Sequence, residues 1–184
     1  QRSVAIKKLL TDPLNSPDFV ERFKRETKVA AGLRHPGIAI IYEAGEVDGQ
    51  PYFAMELLEG ATLAALVRSG PMGAKRASRY LVQIGEAIAY SHAQDVLHRD
   101  LKPSNIIVDA DEVAKVVDFG LARTWHATEA NELTLTACAL GSPPYMAPEQ
   151  LTGARVGRAT DVYGSLLGQS VSAAGFGDHL SEMP

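Results

Sequence analysis

The residues best placed to do chemistry lie in one stretch, His98-Arg99-Asp100-Leu101-Lys102-Pro103-Ser104-Asn105. Pro103 lacks an N–H and restricts Lys102 before it, so Asp100 and Asn105 sit in a non-helical loop. The run Ile106-Ile107-Val108 that follows reads as a short buried strand. A second apolar strand, Val113 to Val117, ends at Asp118-Phe119-Gly120, and Asp109-Ala110-Asp111-Glu112 between the two is a hairpin turn. Pairing of these strands places Asn105 and Asp118 at neighbouring strand ends beside Asp100. The three groups then offer two oxygen donors for a hard cation and one carboxylate for proton transfer.

The elements that must position this loop are readable in outline. Val4-Ala5-Ile6 is β-prone and ends on Lys7. A helix follows, with Ser16 as N-cap and Pro17 at its first position. Phe19, Phe23 and Ala30 form its inward stripe, and Glu26 lies on the same stripe. A carboxylate facing a core needs a cation, and Lys7 is the candidate; the alternative is that Glu26 reaches water from the stripe's edge. Ile38 to Tyr42 and Tyr52 to Leu57 read as strands, joined through Asp48-Gly49 as a hairpin. Thr62 to Val67 is a short helix and Ala74 to Ala93 a longer one, with Ala77, Leu81, Ile84 and Ile88 on one face.

Composition sets limits. The chain has 184 residues, 46% hydrophobic and 22% charged, which fits about one ordinary globular domain. A net charge of −4 provides no basic field for nucleic acid. Cys138 is the only cysteine, so no internal disulfide forms. No apolar run approaches the ~18 residues of a membrane span.

His98-Arg99-Asp100-Leu101-Lys102-Pro103-Ser104-Asn105, then Asp118-Phe119-Gly120, then Ala147-Pro148-Glu149, with Val4-Ala5-Ile6-Lys7 upstream, resembles the protein kinase family. Lys102 and the Gly141-Ser142-Pro143-Pro144-Tyr145 segment resemble the Ser/Thr branch, of the eukaryotic type found in bacteria. The resemblance implies an α+β, bilobal fold: a small antiparallel-sheet lobe with one helix over 1–55, a hinge over 56–60 and a mainly helical lobe over 61–167. It implies ATP and magnesium as cofactors and protein Ser/Thr hydroxyls as substrates. Asp100 would accept the substrate proton, Lys102 would neutralise the transferring phosphoryl group, and Asn105 and Asp118 would hold magnesium. Lys7, paired with Glu26, would hold the α- and β-phosphates. Ala5 and Ile107 would sandwich the adenine, Met55 would stand behind it, and the Glu56 carbonyl and Leu58 N–H would bond its edge.

The resemblance also implies structural roles. His98 would pack against Phe119, and Gly120, where the activation loop starts, and Glu149 would be structural. Asp161 would bond the loop backbone around His98 and Arg99. Arg99 would receive a phosphate from the 121–146 loop, with Thr134 and Thr136 as the phosphosites, and Ser142 would serve the substrate-binding loop near Asp100. The pattern breaks at both ends. No Gly-x-Gly-x-x-Gly precedes Lys7, and residues 168–184 diverge, so a partial catalytic domain with a poorly ordered tail is expected. The expected location is cytoplasmic, with any anchor outside this chain. A non-catalytic, nucleotide-binding module is the alternative, and a truncated product without a stable fold is a third reading.

Overall fold

A computed structural model describes residues 3–8, 17–48, 50–119 and 145–165. Its first sheet is antiparallel, in the order β1-β3-β2. The strands are β1 (Val4–Lys8), β2 (Ile41–Val47) and β3 (Gln50–Glu56). β1 and β3 pair from Val4↔Glu56 to Lys8↔Tyr52. The β2–β3 hairpin closes at Val47↔Gln50, with Asp48 at φ 54. Positive φ suits the hairpin turn that this Asp-Gly pair favours.

Helix α1 (Pro17–Ala30) packs on this sheet. Its inward row is Phe23, Thr27 and Ala30, and the Phe23 ring lies tilted by 40° against Phe53 of β3, with centroids 6.4 Å apart. The Phe19 side chain and the Ser16 cap lie outside the described residues. Glu26 sits beside that row rather than on it, with 29% of its side chain exposed.

The predicted strand from Ile38 is corrected: β2 begins at Ile41. Ile38 instead bridges Val116 of the second sheet. Ala39 N–H donates to Val116 O at 3.0 Å, and Val116 N–H donates to Gly37 O at 2.9 Å. Pro36-Gly37 turns the chain so that this short segment serves the other sheet before β2 starts.

The second sheet has the order β4-β5-β6, from β4 (Ala61–Thr62), β5 (Ile106–Val108) and β6 (Ala114–Val116). Helix α2 (Leu63–Arg68) is capped by Thr62, whose hydroxyl accepts the Ala65 N–H. The long helix α3 (Ala74–Ala93) has the predicted bounds. It buries Tyr80, Ile84, Ala87 and Ile88, near the fully buried Ala114 and Val116 of β6. Leu81, predicted on that face, is only half-buried, and Tyr80 takes the core position.

Two polar clamps fix the β5–β6 turn on α3. Gln83 accepts the Ala114 N–H at 2.7 Å and donates to Glu112 O at 3.2 Å. The Glu112 carboxylate takes Arg76 and the Tyr80 hydroxyl. Arg76, then Tyr80, holds the Glu112 carboxyl below its ordinary range, while burial and then the hydrogen bond to Glu112 push the Tyr80 phenol up. Chain-terminal to these lie α4 (Pro148–Leu151) and a helix over 158–165.

Candidate active site

The catalytic-type loop is built from its local chemistry upward. Lys102 is extended at φ −155 and ψ 160, as the residue before a proline must be, and Pro103–Asn105 form one 3-10 turn. That turn aims the buried Asn105 amide back at Asp100. Its Nδ2 donates to Asp100 O at 2.8 Å and to Asp100 Oδ2 at 3.0 Å. Lys102 Nζ reaches the same Oδ2 at 2.8 Å. Among the described residues these contacts fall on Oδ2, and Oδ1 takes neither of them.

The hairpin that carries Asp118 behaves as its sequence implies. Asp109 Oδ1 accepts the N–H groups of Asp111 and Val113 at 3.0 and 2.9 Å, closing the turn. Ile106 pairs with Val116, and Val117 N–H donates to Asn105 O at 2.9 Å. The metal-donor candidates therefore stand at adjacent strand ends. Asn105 Nδ2 is committed to Asp100, so among the described residues its Oδ1 is the end left to meet a cation, and Asp118 supplies a carboxylate. These oxygens suit a hard cation. Among the described residues no three His, Cys, Asp or Glu side chains converge into a cage. A cation held here would complete its shell from phosphate and water, as magnesium does.

His98 is a structural pivot. It is fully buried, with its ring 4.8 Å from Phe119. Nε2–H donates to Val117 O at 2.9 Å, and Nδ1 accepts the Asp100 N–H at 3.2 Å. Both nitrogens are used by the neutral tautomer, and burial lowers the ring's pKa despite the Val117 carbonyl. Asp161, also buried, accepts His98 N–H at 2.8 Å, Arg99 N–H at 2.6 Å and the His92 ring at 2.7 Å. The backbone contacts are those anticipated for Asp161; the His92 contact was not visible in the sequence.

The expected Lys7–Glu26 pair is corrected. Lys7 Nζ binds Asp118 Oδ2 at 2.6 Å, and Glu26 Oε1 binds Arg99 Nη1 at 3.3 Å. Glu26 does take a cation, and Arg99 provides it. Lys7, half exposed on β1, turns to the carboxylate of Asp118 instead. Arg99 and Asp118 both have left-handed backbones, at φ 67 and φ 63. Such conformations in non-glycine residues persist only where the surroundings hold them.

The remaining candidates are placed as follows. Ala5 faces Met55 across the β1–β3 register, and Met55 packs against the core. The Glu56 carboxylate binds Lys115 Nζ and accepts the Ile40 N–H at 3.3 Å, anchoring the start of the 56–60 connection that contains Leu58. Ile107 is half-buried at the centre of β5. Glu149 accepts the Thr160 hydroxyl at 2.6 Å. Gly120, Thr134, Thr136, Ser142 and the 168–184 tail lie outside the described residues. Lys115 and Gln150 were missed by sequence reasoning. Nothing local marks either one, because each acts across more than fifty residues of chain.

The family profile for the protein kinase domain matches residues 1–172. The serine/threonine-protein kinase PknB of Mycobacterium tuberculosis is 41% identical over 167 residues, covering 88% of this chain and 26% of PknB. PrkC of Bacillus subtilis, also a serine/threonine-protein kinase, is 41% identical over 163 residues, covering 88% of this chain and 25% of PrkC. The crystal structure of the M. tuberculosis PknI kinase domain matches with a TM-score of 0.76 at 29% identity, over 94% of this chain and 64% of that one. The chain thus spans about a quarter of the length of the curated relatives it matches.

Proposed function

Because this chain belongs to the protein kinase domain family, we propose that it is the catalytic part of a Ser/Thr protein kinase. In this reading it moves the γ-phosphoryl group of ATP to protein hydroxyls. The observation that carries the proposal is the Asp100 carboxylate, gripped by Asn105 and Lys102 beside Asp118. Asp100 orients the substrate hydroxyl and takes its proton as the oxygen–phosphorus bond forms. The bond from the γ-phosphorus to the β–γ bridging oxygen breaks, and ADP leaves. Lys102 offsets charge on the group in transit. Asn105 Oδ1 and Asp118 would hold magnesium, which neutralises phosphate charge when bound.

Lys7, which binds Asp118 in this structure, would hold the α- and β-phosphates, while Glu26 keeps its contact with Arg99. Arg99 would also receive a phosphate carried by Thr134 or Thr136. Ala5, Met55, Glu56, Leu58 and Ile107 form the adenine site. The small lobe is 1–55, the hinge 56–60 and the helical lobe 61–167, with Phe119 and Gly120 as structural residues. A cytoplasmic location is part of this reading; among the described residues no helix is long and apolar enough to cross a membrane. The test is magnesium-dependent phosphate transfer by the whole protein, run beside Asp100→Asn. Transfer to Ser or Thr that Asp100→Asn abolishes supports the reading, and no transfer by the wild type under varied conditions refutes it.

A further inference from the structure

Gln150 lies on α4, outside every role assigned above, yet its amide touches two separate segments. Oε1 accepts the Ala147 N–H at 2.9 Å, and Nε2 donates to Arg99 O at 2.8 Å. Only one orientation of the amide satisfies both contacts, which fixes which end faces the loop. The carbonyl it holds belongs to the peptide joining Arg99 to Asp100. The N–H of that same peptide is held by His98 Nδ1 at 3.2 Å. The preceding peptide is held through Arg99 N–H by Asp161 Oδ1 at 2.6 Å.

Arg99 is therefore clamped on both sides while its backbone stays at φ 67. A non-glycine residue relaxes from that region when its surroundings let go, and relaxation rotates the peptide that carries Asp100. We infer that Gln150 is a positioning residue for Asp100, holding the Arg99–Asp100 peptide plane from the α4 side. The anchor is itself fixed, since Glu149 beside it accepts the Thr160 hydroxyl at 2.6 Å from the helix that carries Asp161. The inference deepens the proposed kinase reading, because Asp100 is the group it positions.

Gln150→Glu separates the two contacts. The carboxylate still accepts the Ala147 N–H, so α4 keeps its start, but it presents no donor to Arg99 O. Hydrogen exchange over residues 98–101 of the whole protein is the primary readout, with phosphate transfer second. The expected result is exchange at the Asp100 amide raised about tenfold or more, and kcat lowered by a similar factor, since small misplacements of a reacting group are costly. The KM for ATP and the melting temperature stay close to wild type. Unchanged exchange at Asp100 overturns the inference. So does a rise spread evenly over the molecule with a lowered melting temperature, because that is a merely structural role. Gln150→Met, of similar length and without polar atoms, gives the same loop-specific rise; if both variants unfold the protein, the positioning role is also rejected. The exchange readout requires no turnover, so an inactive wild type would refute the kinase reading without deciding this one.

Discussion

Replacing Asp161 tests the frame beneath the catalytic-type loop. Its side chain is completely buried and accepts from His98 N–H, Arg99 N–H and the His92 ring, at 2.8, 2.6 and 2.7 Å. Asp161→Ala leaves two backbone donors and a ring nitrogen without that acceptor. Each buried donor left unsatisfied costs about 1–3 kcal/mol. Removing a buried carboxylate also relieves its own desolvation, which offsets part of the loss. The net expectation is about 3–5 kcal/mol, or a melting temperature lower by roughly 6–20 °C for a domain of this size. Asp161→Asn keeps the shape but only one oxygen. Oδ2 serves His98 and His92 while Oδ1 serves Arg99, so at least one donor meets an NH₂ group, and about half the loss should remain. Urea unfolding of the whole protein, with unchanged m-values, measures both. A loss below about 1 kcal/mol for Asp161→Ala would show that the loop does not depend on this carboxylate.

Two further outcomes follow from the packing. His98 is buried with a lowered pKa, so its neutral form is favoured in the fold. Above the unfolded value of about 6.5 both states are neutral and its contribution is complete; below it the unfolded chain takes up a proton that the fold excludes, and stability falls by up to about 1.4 kcal/mol per pH unit. Melting curves between pH 7.5 and 5.5 should lose that share of the slope in His98→Gln, and an identical slope would reject the assignment. Gly60 passes so close to β5 that an added Cβ would lie 2.2 Å from Val108 O. Backbone cannot yield as a flexible side chain does, so Gly60→Ala should cost about 1–3 kcal/mol by urea unfolding, and a neutral result would mean that the 56–60 connection shifts freely.

Much of the site was legible because its positions are set by short-range chemistry. Pro103 dictates the turn that aims Asn105 at Asp100, and Asp109 closes the hairpin that brings Asp118 alongside. The bounds of α3 followed from one sustained apolar face. Reading failed where a choice depended on tertiary distance. Ile38 has the composition of a strand residue, but it bridges Val116 outside the first sheet. Glu26 needed a cation, yet periodicity could not rank Lys7 against Arg99, which lies 73 residues away. Tyr80 entered the core because Arg76 and Glu112 satisfy its hydroxyl, a partnership that an apolar-face count does not register.

In the proposed reading Asp100, oriented by Asn105 and Lys102, takes the substrate proton at a site for magnesium-bound ATP. Single-turnover phosphate transfer, compared between the whole wild-type protein and Asp100→Asn at saturating magnesium-ATP, measures it most directly. The expected rate is lower by about 10²- to 10⁴-fold with nucleotide affinity kept. An Asp100→Asn protein that transfers phosphate at the wild-type rate would contradict it.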